Sequence, residues 1–190
     1  LSVLAGIDPT LHTGWPVNLK ELFGQTPNGG GAGVTSADVT GDGRPEMVVV
    51  QWDKVGVLNA SGQMLPGWPK QVPGVTFTQP AVGDINADGT PEIVVSTMSY
   101  SSTLTDNVYA WSGSGGPVSG WPRTIERGTG AYLALADLNR DGFREVILTG
   151  KNKVTVLDRN GYYPGWPVTV NPSATPSTSR AGYVLTLLPN

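Results

Sequence analysis

The chain has 190 residues, 38% of them apolar, with a net charge of −3, no cysteine and 12 scattered Lys and Arg. This composition excludes disulfides, thiolate chemistry and cysteine metal sites, makes nucleic acid an unexpected partner for want of clustered cations, and offers no run of about 18 apolar residues for membrane insertion. The 26 Gly and 16 Pro suit many short strands better than long helices.

The chain opens at Leu1 rather than Met, as expected of a processed or trimmed chain, so a missing signal peptide says little. Leu1–Val17 resembles the last two strands of a four-strand unit, ending at the first of four Gly-Trp-Pro motifs, whose tryptophans are Trp15, Trp68, Trp121 and Trp166. His12, the lone histidine, reads as a surface-turn residue rather than a general base. The glycine-rich stretch Asn28–Gly33 lacks the Lys and following helix of a phosphate loop and reads as a connector.

An acidic motif then occurs three times. It runs Asp38-Val-Thr-Gly-Asp-Gly-Arg-Pro-Glu46, Asp84-Ile-Asn-Ala-Asp-Gly-Thr-Pro-Glu92 and Asp137-Leu-Asn-Arg-Asp-Gly-Phe-Arg-Glu145. Each is followed by a β-branched run (Met47–Val50, Ile93–Ser96, Val146–Thr149), an alternating run (Val55–Leu58, Val108–Trp111, Val154–Leu157), a glycine turn and Gly-Trp-Pro. The second unit carries an insertion at Ser96–Asn107, which belongs in a hairpin loop. With one strand before the loop, as at Thr78–Val82, and one after Gly-Trp-Pro, each unit has four strands in about 45 residues, the pattern of a β-propeller blade.

The expected fold is therefore all-β, a propeller of antiparallel four-stranded blades with about four blades in one domain. Residues 1–23 form a half blade, 24–72, 73–125 and 126–170 whole blades, and 171–190 a linker with the first strand of a closing or partner blade. Three arrangements are open: the ends pair into one composite blade and close the ring, they exchange strands between chains, or the chain is a segment of a longer propeller.

The loop chemistry points to calcium, a hard cation that takes 6–8 oxygen ligands. Alternate side chains of Asp-x-Asn-x-Asp-Gly face one centre, and the glycine at the sixth position permits a positive φ. The expected ligands are Asp38, Thr40, Asp42, the Arg44 carbonyl and Glu46 in the first loop. In the second they are Asp84, Asn86, Asp88, the Thr90 carbonyl and Glu92; in the third, Asp137, Asn139, Asp141, the Phe143 carbonyl and Glu145. Up to three Ca2+ ions follow, the Thr40 loop being the weakest because a hydroxyl is a poorer ligand than an amide oxygen. An EF-hand is ruled out, since its twelfth position would fall on Val49, Val95 and Leu148 inside strands. One such loop alone reads as an ordinary turn; three in register hold nine of the fifteen acidic residues, and that crowding calls for a cation.

The segment Pro80-Ala-Val-Gly-Asp-Ile-Asn-Ala-Asp-Gly-Thr-Pro-Glu-Ile-Val-Val95 resembles the FG-GAP/VCBS repeat family, which includes the propeller of integrin α subunits. The resemblance covers nearly the whole chain. It implies calcium loops between the first and second strands of each blade, a secreted or cell-surface setting, and adhesion or binding of a protein or glycan ligand without catalysis. Two features depart from the integrin-type pattern: glutamate rather than aspartate at the ninth loop position, and material for about four blades rather than seven.

Two alternatives stand beside this reading. One is a structural subunit of an extracellular assembly or filament, self-associating through its terminal strands. The other is a lectin-like propeller using tryptophan faces. The four Gly-Trp-Pro tryptophans are better explained by blade-to-blade packing, which leaves Trp52, expected at a hairpin tip, and the Thr97–Asp106 loop with Tyr100 as the first candidates for a ligand surface. Asp53, Asp106 and Asp158 read as scattered turn residues.

Overall fold

The computed structural model describes residues 14–24, 32–76, 78–99 and 105–170. Most of the Leu1–Val17 segment, most of the Asn28–Gly33 connector, the tip of the insertion with Tyr100, and the 171–190 linker and strand lie outside the described residues.

The first element corrects the sequence reading. Where a strand was expected after Trp15, the chain forms helix α1 (Leu19–Phe23). The Asn18 side chain accepts from Lys20 N at 3.0 Å and donates to Glu21 Oε1 at 3.0 Å, a reciprocal cap related to the capping box. Leu-Lys-Glu-Leu-Phe holds no β-branched residue to oppose the helix. Phe23 packs with Val49 and Leu58, which fixes the helix against the first sheet.

Three antiparallel sheets follow, one per repeat. The first contains β1 (Ala32–Ala37), β2 (Glu46–Leu58) and β3 (Lys70–Thr76), in that order. Here two expected runs form one span; Trp52, with φ 56°, interrupts it, and the register to β3 shifts between Trp52 and Lys54. The second sheet orders β4 (Ala81–Gly83), β5 (Glu92–Thr97), β6 (Asp106–Trp111) and β7 (Arg123–Ile125) as 4-5-6-7. The third contains β8 (Tyr132–Ala136), β9 (Glu145–Gly150), β10 (Lys153–Asp158), β11 (Gly161–Tyr162) and β12 (Val168–Thr169), with β10 pairing β9, β11 and β12. The acidic loops join the first strand of each sheet to the second, as the repeat predicted.

Strand alternation gives each sheet two apolar faces. Val48, Val50, Val55 and Val57 of the first sheet form one buried cluster with Ile93, Val95 and Trp111 of the second. Val94, Val108 and Ala110, on the other face of the second sheet, cluster with Val146, Leu148 and Leu157 of the third. The second unit thus presents one face to the unit before it and the other to the unit after it.

Polar bonds tie the units at a fixed register. Trp15 Nε1 donates to the Ala60 carbonyl at 2.9 Å, and Trp68 Nε1 to the Gly113 carbonyl at 2.9 Å, each 45 residues ahead. In the third unit the corresponding carbonyl, that of Arg159, accepts from Arg123 Nη2 at 2.6 Å, and the Arg123 guanidinium lies over the Trp121 ring. The first three Gly-Trp-Pro segments therefore serve unit-to-unit packing, and all four Trp–Pro peptides are cis.

Candidate metal-binding loops

The three loops share a backbone path. The glycine at position six has φ 85°, 86° and 88° at Gly43, Gly89 and Gly142. Position four is also left-handed, at Gly41 (φ 77°), Ala87 (φ 59°) and Arg140 (φ 62°). The sequence reading missed this second site; the glycine in the first loop was its visible sign.

The position-one aspartate organises each turn. Asp84 Oδ2 accepts from Gly89 N at 2.9 Å, and its Oδ1 from Asp88 N at 3.3 Å. Asp38 takes Gly43 N at 2.8 Å and Gly41 N at 2.7 Å; Asp137 takes Gly142 N at 3.0 Å and Asp141 N at 3.2 Å. The Gly43 N–H, ahead of the opposing effect of burial, holds the Asp38 carboxyl below the ordinary range. Position five binds the next turn: Asp42, Asp88 and Asp141 accept from the N–H of Arg44, Thr90 and Phe143 at 2.8, 2.8 and 2.9 Å. The Thr90 hydroxyl also donates to Asp88 Oδ1 and, as the largest influence, holds that carboxyl low.

Position nine differs in kind. Glu46, Glu92 and Glu145 open the second strands and are 4%, 1% and 1% exposed. One oxygen of each reaches back to the position-two amide: Val39 N at 3.0 Å, Ile85 N at 2.9 Å and Leu138 N at 2.7 Å. The extra methylene of glutamate provides this reach. Burial, then the nearby Asp88 and Asp84 charges, push the Glu92 carboxyl above its ordinary value. Burial, with Asp141 and Asp137, does the same to Glu145.

Position three distinguishes the loops. Asn86 Oδ1 accepts from Asp88 N at 2.9 Å, while its Nδ2 lies between Asp88 Oδ2 and Glu92 Oε1, at 3.0 Å from each. Asn139 repeats the first contact at 2.9 Å and donates to Asp141 Oδ2 at 3.1 Å. Thr40 has no amide to do either. The Asn86 amide thus sets its positive edge where a cation's charge is wanted. Among the described residues no three Asp, Glu or His side chains converge as a ready-made cluster, and the ion pairs, Lys54–Asp53 and Lys153–Glu126, leave the loop carboxylates without a cationic partner. In donor chemistry, the oxygens of three carboxylates per loop, with an amide in two of them, are of the kind a hard divalent cation takes.

The other carboxylates have structural roles. Asp106 is fully buried at the start of β6 and accepts from Ser99 N at 2.7 Å and from Gly128 N, tying the base of the insertion to the third unit. Asp158 caps the turn at Asn160 and Gly161, and Asp53 accepts from Gln71. Trp52 is half-buried rather than projecting as an exposed tip.

Comparison with known proteins now bears on this repeat. A family model described as an FG-GAP-like repeat matches residues 84–148. The matched segment is similar to such a repeat. It spans the second and third acidic loops with the strands between them, and the first loop repeats its motif and bonding. No curated protein matches the chain. Among solved structures, the crystal structure of BBS1N in complex with ARL6DN, soaked with mercury, is similar in fold: TM-score 0.51 at 12% identity, over 74% of this chain and 45% of that one. The chain thus spans less than half the length of that structure. The V. cholerae biofilm matrix protein Bap1 matches at TM-score 0.29 and 20% identity, over 72% of this chain and 28% of that one. Among the described residues no helix is long and apolar enough to cross a membrane.

Proposed function

We propose that this chain is a non-catalytic, calcium-stabilised module of β-propeller type that binds a protein or glycan outside the cell, its three sheets being consecutive blades. The observation that carries the calcium reading is the buried position-nine glutamate, which in the second and third loops feels two nearby aspartates that, after burial, raise the pKa of Glu92 and Glu145, with no cationic partner among the described residues. Bound calcium would supply the positive charge these oxygens lack. The residues that would hold it are those of positions one, three, five and nine, with the position-seven carbonyl, in each loop.

The loops also touch the core. The glutamate that would ligate the ion grips the position-two amide, and the side chains of Val39 and Ile85 are buried in the clusters shared with the next unit. Holding the glutamate therefore holds the residue that seals adjacent units. In this reading calcium stiffens the stacking of adjacent units. The role of structural subunit in an extracellular assembly is the second reading; the exposed apolar residues of the third unit, Leu138, Tyr162, Val168 and Val170, favour it.

Thermal melting with calcium and with chelator tests the proposal. A calcium-dependent rise in Tm that magnesium does not reproduce supports it; the same Tm in both solutions overturns it.

A further inference from the structure

The first three Gly-Trp-Pro junctions are equivalent in sequence and differ in their donors. At the first two, the indole donates to the carbonyl ahead of it: Trp15 Nε1 to Ala60 and Trp68 Nε1 to Gly113, each at 2.9 Å. Between the second and third units, Arg123 Nη2 takes the matching carbonyl, that of Arg159, at 2.6 Å. Trp121 is left without the acceptor that Trp15 and Trp68 use. Lys70 holds the place of Arg123 one junction earlier and lies over the Trp68 ring, but leaves the Gly113 carbonyl to the indole.

The exchange sets two guanidinium groups together with no anion. Arg123 lies over the Trp121 ring, 5.8 Å from its centroid, and Arg159 over the Phe143 ring at 4.0 Å. Stacking holds each planar fork in place before any ligand arrives. Neither fork is in an ion pair: among the described residues those are Lys54–Asp53 and Lys153–Glu126. The nearby carboxylates are engaged elsewhere, Glu126 by Lys153 at 2.6 Å and Asp158 by the N–H groups of Asn160 and Gly161. Arg123 Nε is buried without an acceptor. Space opens beside Nη1 of the same residue: a Cβ on Gly161 would lie 3.9 Å from it and, chain neighbours aside, meet no other described atom within 4 Å. Tyr162, next along the chain and 45% exposed, accepts at its hydroxyl from Glu126 N at 3.3 Å, which ties its ring to the second unit.

We infer that this groove between the second and third units, lined by Arg123, Arg159 and Tyr162, binds the carboxylate of a uronate sugar in an acidic glycan. The inference rests on the binding role proposed above and gives it a site and a ligand class. Two N–H groups in the plane of a guanidinium match the two oxygens of a carboxylate. Arg159 is the exposed fork and Arg123 the half-buried one. The Tyr162 ring supplies a flat apolar face beside them on which a sugar ring can lie. A fork alone would take many anions; a fork next to an exposed aromatic face selects a charged sugar. Two stacked arginines, with no lysine between them, suit carboxylates spaced along a chain rather than a dense polyphosphate.

Calorimetric titration of the full chain with a hyaluronan oligosaccharide, which carries a glucuronate in every disaccharide, tests this beside a neutral chitin oligosaccharide of equal length. Hyaluronan should bind and chitin should not. Arg159→Gln should weaken hyaluronan about 10-fold or more, since hydrogen bonds to a charged group are lost. Tyr162→Ala should weaken it too, while Tyr162→Phe, which keeps the ring, should not. Lys70→Gln, at the equivalent place one junction earlier, should change nothing. A Tm equal to the parent's in each variant separates lost binding from unfolding. No hyaluronan binding, equal chitin binding, or an equal loss in Lys70→Gln overturns the inference. A polyglutamate peptide that displaces the sugar at equal strength overturns the glycan form and assigns the groove to an acidic peptide. Running the titrations in calcium and in chelator keeps the two readings apart. Absent binding in a protein whose Tm calcium raises removes the groove alone, whereas binding in a protein whose Tm calcium leaves unchanged removes the calcium reading alone.

Discussion

Replacing Glu92 by Gln should have opposite signs with and without calcium. Glu92 is 1% exposed and shares its loop with Asp84 and Asp88, both of which raise its pKa. Without metal, the substitution removes a buried charge from among like charges. Gln keeps an oxygen to accept from Ile85 N, so Tm should hold steady or rise by a few degrees, corresponding to about 0–1 kcal/mol at 2–4 °C per kcal/mol for a chain of this length. With calcium, one of three carboxylates is lost. A site filled at 100 times its Kd contributes about 2.7 kcal/mol, and a 10- to 100-fold weaker site gives up about 1.3–2.3 kcal/mol of that. The calcium-loaded variant should therefore melt roughly 3–9 °C below the calcium-loaded parent. Calorimetric melts of both proteins in both solutions supply the four numbers. An equal loss of Tm in calcium and in chelator would refute the reasoning, because Glu92 would then act only as a clamp on the Ile85 amide.

Three further outcomes follow from the same geometry. Ile85→Ala should cost about 2–4 kcal/mol in urea unfolding, since a nearly buried side chain leaves a cavity between the second and third sheets; a cost under 0.5 kcal/mol would show those sheets do not pack as described. Ala87→Gly should stabilise the protein by about 0.5–1 kcal/mol, because Ala87 holds φ 59° where the first loop uses Gly41, and denaturant midpoints would show a loss instead if the loop is not left-handed there. The pH dependence should also reverse with calcium. The raised folded-state pKa values of Glu92 and Glu145 mean that the folded metal-free chain binds protons more readily than the unfolded one, so its stability should increase as pH falls from 7 toward 5. Asp38 and Asp88, whose pKa values are lowered, oppose this only below their ordinary 3.8. With calcium present, protons compete with the ion and stability should fall over the same interval; parallel pH profiles in the two solutions would contradict this.

Much of the architecture was legible because it is repeated. The tripled acidic motif placed each loop between a first and a second strand, and those joints stand at Ala37–Glu46, Gly83–Glu92 and Ala136–Glu145. The glycines at position six announced their positive φ. Helix α1 was missed because the Gly-Trp-Pro pattern suggested a strand, while the local Asn18–Glu21 cap and the partners of Phe23 favoured a helical turn. Asp106 was read as a turn residue because its acceptor role depends on Gly128, 22 residues away in another unit.

By itself, then, the sequence determined what is local and periodic: the strand alternation, the place of each acidic loop between two strands and the glycine turn at its sixth position. Only the tertiary structure decided what depends on neighbours. It turned one oxygen of each buried glutamate back to the position-two amide, joined the tryptophans to carbonyls 45 residues ahead, and buried Val39 and Ile85 while leaving Leu138 exposed. The physical reason is that burial and hydrogen-bond satisfaction belong to pairs of surfaces, whereas a sequence motif describes one surface at a time.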